Sequence, residues 1–200
     1  MPRKKKVSTK KIMSWLIIVI MVSSIFGVIV GNISQDDGTE LTYDDYEFTI
    51  TDNGYMTTIN NNEYYFYNLP QDVLRINISD SMLSIIALSQ AVYVTFDPNI
   101  EELSSMDLVR FDLGTFFNQQ NQFIDFGLTE ESDDYPNLNN IIDCNNATQH
   151  WPVLLFTDGD DSEIYRYEET PYCIIIESET YLHRIRFRDA LIYRMLGVIE

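Results

Sequence analysis

The chain reads as an α+β protein. An N-terminal transmembrane helix precedes one exported domain, in which a β-meander leads into a β-α-β-β-β-α part. Three observations predict this. Residues 12–31 (IMSWLIIVIMVSSIFGVIVG) carry no charge. Short alternating runs after residue 45 are punctuated by Asn-Gly and Asn-Asn-Asn turns. From residue 91, runs rich in Val, Ile and Phe are interleaved with segments of helical periodicity. Four regions follow: a basic cytoplasmic tail over 1–11, a signal-anchor helix over 12–31, an acidic stalk over 32–44 and the acidic domain over 45–200.

Twenty apolar residues in a helix span about 30 Å, the hydrocarbon thickness of a bilayer. Arg3 and the only five lysines (Lys4, Lys5, Lys6, Lys10 and Lys11) precede this run, and all 31 acidic residues follow it. The positive-inside bias places the N-terminus in the cytoplasm and residues 32–200 outside. The run is longer than the apolar region of a cleaved signal peptide, and no A-x-A-like site follows. Ser23, Gly27 and Gly31 recur at four-residue spacing, which would let two membrane helices approach and form a weak homodimer.

Beyond residue 31 only seven arginines face the 31 acids, a charge of −24. Such a surface repels nucleic acid and anionic membrane and attracts cations or basic partners. Cys144 and Cys173 are the only cysteines. An even count in an exported domain predicts a disulfide, with two buried free thiols as the alternative. Asn32, Asn77 and Asn146 open N-x-S/T sequons, and Asn146, in a polar loop, is the best placed for a glycan.

The elements follow in order. Tyr46–Thr51, Tyr55–Ile59 and Glu63–Tyr67 form the meander, with turns at Asp52-Asn53-Gly54 and Asn60-Asn61-Asn62. Residues 72–90 contain a helix capped by Ser79 or Asp80. Ala91–Phe96 is a central strand. Asn99 and Glu102 resemble a capping box opening a helix from Ile100 to Asn118. Gln122–Leu128 is a strand, and Thr129–Asn140 a polar loop. Val153–Phe156, Glu163–Tyr167 and Tyr172–Glu177 are strands. A helix ends near Leu196, stopped by Gly197. Its start also suits a strand, because Ile185 and Phe187 alternate with Arg184, Arg186 and Arg188.

From residue 91 this order of elements, with Trp151-Pro152-Val153 placing a proline before the third strand, resembles the thioredoxin-like arrangement. The redox motif of that family is absent, since Asp97-Pro98-Asn99-Ile100 stands in its place. The lysine-rich anchor and the acidic, Asn- and Tyr-rich domain also resemble archaeal single-pass membrane proteins, a resemblance that implies a location and no activity.

Chemistry-bearing residues are sparse. Asp158, Asp160, Asp161 and Glu163 are spaced as a turn and miss the calcium-loop pattern. His150 with Cys144 supplies too few ligands for zinc, and His183 is isolated. Asp97 sits at the carboxyl end of a strand, where α/β folds place function, but also where a helix cap belongs. Arg184, Arg186, Arg188 and Arg194 are expected to neutralise surface carboxylates. Tyr64, Tyr65 and Tyr67 are expected to pack within their strand. No catalytic constellation, metal site or cofactor motif is predicted. The expected function is a membrane-anchored extracytoplasmic binding or scaffold protein with a protein partner in the envelope. The alternatives are a thiol-redox or other enzyme on a degenerate thioredoxin-like scaffold, and a divalent-cation-binding module.

Overall fold

The computed structural model describes residues 40–199. Strands β1 (Glu40–Tyr43), β2 (Tyr46–Thr51), β3 (Gly54–Ile59) and β4 (Asn62–Phe66) form an antiparallel sheet in chain order. Its turns use the chemistry read from the sequence. Asn60 and Asn61 take φ of 52° and 66°, the left-handed region that asparagine tolerates. At Gly54 (φ 142°) a Cβ would lie 2.2 Å from the Phe66 carbonyl oxygen, so β3 approaches β4 closely only because the residue is glycine. β1 corrects the predicted stalk. Residues 40–43 pair with β2, and Leu41 and Tyr43 pack on the core.

The chain continues through α1 (Pro70–Val73), α2 (Asp80–Ala87), β5 (Ala91–Phe96), α3 (Leu103–Gln119) and β6 (Phe123–Leu128). A long loop then leads to β7 (Val153–Asp158), β8 (Glu163–Arg166), β9 (Cys173–Ser178) and α4 (Tyr181–Leu196). These strands make a second sheet of order β6-β5-β7-β9-β8. Its first four members are parallel, and only β8 runs against its neighbour. The element order from residue 91 matches the reading.

The central strands alternate between two apolar faces. Val92, Val94, Phe96, Leu154, Phe156, Ile174 and Ile176 face the helices. There they meet Met106, Leu113 and Phe117 of α3 and Phe187 and Leu191 of α4, and the meander adds Phe48 and Phe66. Val153, Cys173 and Ile175 form the other face under Ile142, Cys144 and Ala147 of the long loop. Helices thus cover one face and a disulfide-pinned loop the other.

The predicted transmembrane helix over 12–31, with its Ser23, Gly27 and Gly31 face, lies outside the described residues, as do the basic tail and Asn32. Among the described residues no helix is long and apolar enough to cross a membrane. The longest, α3 and α4, have 17 and 16 residues, and both carry buried or half-buried charge on their inner faces. The fold class is corrected accordingly: the described residues are α+β, with two sheets and four helices, and hold no helix long and apolar enough to span a membrane.

Two local readings also change. α3 begins at Leu103, not Ile100. The expected capping box fails because Asn99 instead donates to Asp97 and to Glu130 Oε1 (2.6 Å), while Glu102 takes a left-handed φ of 56°. At residue 181 the helix wins over the strand, since the core takes Phe187 and Leu191 together with Arg184 and Arg188, residues spaced for one helical face.

The Cys144–Cys173 disulfide is present, with Cα atoms 5.3 Å apart. Both sulfurs are buried. The bridge pins the 3₁₀ turn Cys144–Asn146 to β9, a central strand. Replacing both cysteines by serine is expected to cost about 3 kcal/mol in urea unfolding. Faster amide exchange in residues 129–152 should accompany it, and exchange left unchanged there would show that the loop holds without the bridge.

Candidate functional site

Three polar constellations stand out. The first is the crest at the carboxyl ends of the parallel strands, where the chain leaves β5 toward β6 on one side while β7 lies on the other. Open α/β sheets bind ligands at such a switch point. Here the protein's own groups fill it. Arg184, 1% exposed, donates from Nη2 to Asp158 Oδ1 (2.7 Å) and from Nη1 to Ser105 Oγ (2.6 Å). The other Asp158 oxygen accepts the Glu101 N–H at 2.7 Å. Asp97 accepts the Asn99 N–H at 2.8 Å in a turn ahead of α3, whose N-cap is Glu102, so Asp97 is not the helix cap expected of it. Asp158 is therefore committed to structure.

The second is a buried ionic knot between the meander and the helices. Asp189 is fully buried. Its Oδ2 accepts from the Tyr67 N–H (3.1 Å) and from the Asn68 N–H and side-chain amide (2.8 Å each). Its Oδ1 accepts from Arg188 Nη1. Arg188 also donates to the Tyr65 carbonyl (2.9 Å), pairs with Asp112 at 2.5 Å and lies between the Phe66 and Tyr67 rings. Burial raises the pKa of both aspartates, and Arg188 offsets part of that rise. Burial likewise drives the Tyr193 hydroxyl, which donates to the Asn68 carbonyl (2.8 Å), above its ordinary value. The expectation of surface-paired arginines is thus corrected: Arg184 and Arg188 are interior, because their carboxylate partners are drawn in with them.

The third is open. A cleft of about 920 Å³ lies between the α1–α2 segment, the β8–β9 hairpin and α4. Its floor is Ile164, Ile176 and Phe187, and its rim holds Arg75, Asn77 and Arg186. His183 stands in its wall, Nδ1 2.6 Å from Ser162 Oγ. That oxygen also accepts the Glu179 N–H at 3.1 Å, and the same Nδ1 lies 3.3 Å from Thr180 Oγ1. His183 is therefore not isolated.

The remaining predicted residues fall elsewhere. The disulfide commits Cys144, which removes it as a partner for exposed His150. Asn146 is exposed beside the bridge, although its side-chain oxygen accepts the Asp143 N–H at 2.9 Å. Asn77 is exposed on the cleft rim. Tyr64 packs on Phe116 and Tyr67 on Arg188, while Tyr65 is exposed. The cleft itself escaped sequence reading, because residues 75, 162, 178 and 186 carry no shared motif. The faint signal was Arg75, the lone cation between the basic tail and Arg110.

No family model, curated protein or solved structure matches this chain.

Two outcomes follow from the knot. Arg188→Ala leaves two buried carboxylates unpaired and is expected to cost about 3–5 kcal/mol in denaturant unfolding. A loss below 1 kcal/mol would place the knot's weight elsewhere. For Asp112 and Asp189, a raised folded-state pKa gives a contribution fully present below the ordinary carboxylate range and lost as pH rises through the raised values. The melting temperature should therefore climb as pH falls toward the ordinary carboxylate range, and a scanning calorimetry series would read it.

Proposed function

We propose that residues 40–199 form an extracytoplasmic binding module whose ligand site is the cleft between α1–α2, β8–β9 and α4. The observation that carries this is a contrast. The crest, where α/β enzymes place chemistry, is filled by the Arg184–Asp158 pair, whereas the cleft keeps polar side chains open around an apolar floor. Its size lies within the range of small-molecule sites. The buried disulfide supports the compartment, since such bridges persist in oxidising surroundings. The same burial weighs against thiol exchange, which needs an accessible sulfur.

A second reading, docking to another envelope protein, is favoured by apolar exposure at one end of the second sheet. Leu88 and Phe123 are 85% and 74% exposed, and the Phe123 N–H donates to Gln90 O, which puts them near each other. The double substitution Leu88→Ser/Phe123→Ser should then abolish a specific crosslink in isolated envelopes, and an undiminished crosslink would remove that reading.

The cleft reading is tested by melting the folded chain against pools of sugars, amino acids, organic acids and nucleotides. A true ligand at a hundredfold excess over its Kd adds about 2.7 kcal/mol of stability. Ser162→Trp, a change at an exposed position, should cancel the shift. A shift that survives it, or no shift in any pool, would sink the proposal.

A further inference from the structure

We infer that the cleft takes a small organic anion, bound through its carboxylate or phosphate by Arg75 and Arg186; this rests on the cleft being the ligand site. Cationic side chains border the cleft of an otherwise acidic domain. Arg75, Arg186 and His183 line it together with Asp72, Glu163 and Glu177. Asp72 is already engaged, since its Oδ2 accepts the Leu69 N–H at 3.2 Å. Glu163 and Glu177 border the cleft but belong to the other side of the sheet. Strand alternation sends Ile164, Ile176 and Ser178 toward α4 and turns Glu177 the opposite way, where its Oε1 accepts the Tyr165 hydroxyl at 3.0 Å.

Among the described residues Arg110, Arg184 and Arg188 form ion pairs, whereas Arg75, Arg166, Arg186 and Arg194 form none. Of those four, Arg75 and Arg186 line the cleft. A guanidinium left unpaired amid such an excess of carboxylates is available for an anion that can accept its parallel N–H groups.

An independent observation points into the same space. Ser178 is 1% exposed and lines the cleft, so its hydroxyl is placed to meet a ligand oxygen that reaches the floor. His183 lies in the same wall, with Nδ1 2.6 Å from Ser162 Oγ.

The test is an amide NMR titration of the folded chain with glucuronate, glucose 6-phosphate and glucose. At least one anion should move the signals of Ser178, His183 and Arg186, and glucose should move none. Which anion binds separates a carboxylate ligand from a phosphate one. Arg75→Ala/Arg186→Ala should weaken that binding at least tenfold with an unchanged melting temperature, as both side chains are exposed. Glucose binding as tightly as the anions, or the double variant binding them as well as the parent chain, would overturn the anion inference and leave the cleft as a site for neutral solutes. Still signals with all three probes would also overturn it, and the solute pools would then decide whether the cleft binds anything.

Discussion

The buried Arg188–Asp189 pair is the constraint on which the rest of the arrangement depends. It lies where the antiparallel meander, the turn before α1 and the helical layer converge. Asp189 collects the main-chain N–H groups of Tyr67 and Asn68, which follow the last meander strand and would otherwise be buried without partners. Arg188 answers with the Tyr65 carbonyl and reaches Asp112 on α3. One arginine thus joins the meander to two helices. Removing either charge from such a setting is costly, because the partner stays desolvated. The apolar contacts nearby, Phe66 stacked on Tyr193 with ring centres 3.9 Å apart, depend on this polar arrangement to bring the sheet into register with α4.

The same helix then governs what is closed and what is open. Arg184, one turn before Arg188, reaches across to Asp158 and Ser105 and fills the crest of the parallel sheet. Arg186, on the outward face between them, borders the cleft with His183. Three arginines at alternate positions on one helix therefore have three different surroundings: a sealed crest, an open cleft and a buried knot. A step of two residues turns the helix by about 200°, which points Arg186 away from Arg184 and Arg188, while those two share one face a turn apart and meet different partners along it.

Much of the local structure was legible. Asn-Gly and Asn-Asn turns set the meander because few other residues accept a positive φ. The periodic Met106, Val109, Leu113 and Phe116 marked α3, and Gly197 marked the end of α4. The burial of Arg184 and Arg188 was not legible. Arginine in an amphipathic pattern reads as surface, and nothing local signals that Asp158, Asp112 and Asp189 will be brought to meet it. The start of α3 was misread for the same reason, since Asn99 and Asp97 could cap a helix but are held by each other and by Glu130, thirty-one residues away. Strand β1 was hidden inside an acidic segment because its pairing with β2, not its composition, makes it a strand.

The amino-acid sequence by itself determined the charge excess, the turn positions, the order of strands and helices from residue 91, and the identity of the bridge, as only two cysteines exist to form it. These are properties of composition or of short-range conformational preference. The tertiary structure alone decided which arginines are interior, which face of β9 each residue takes, and that Arg75, Ser162, Ser178 and Arg186 border one space. Those outcomes depend on contacts between residues tens of positions apart, whose energy comes from burial and desolvation shared among several partners, and no single segment carries that information.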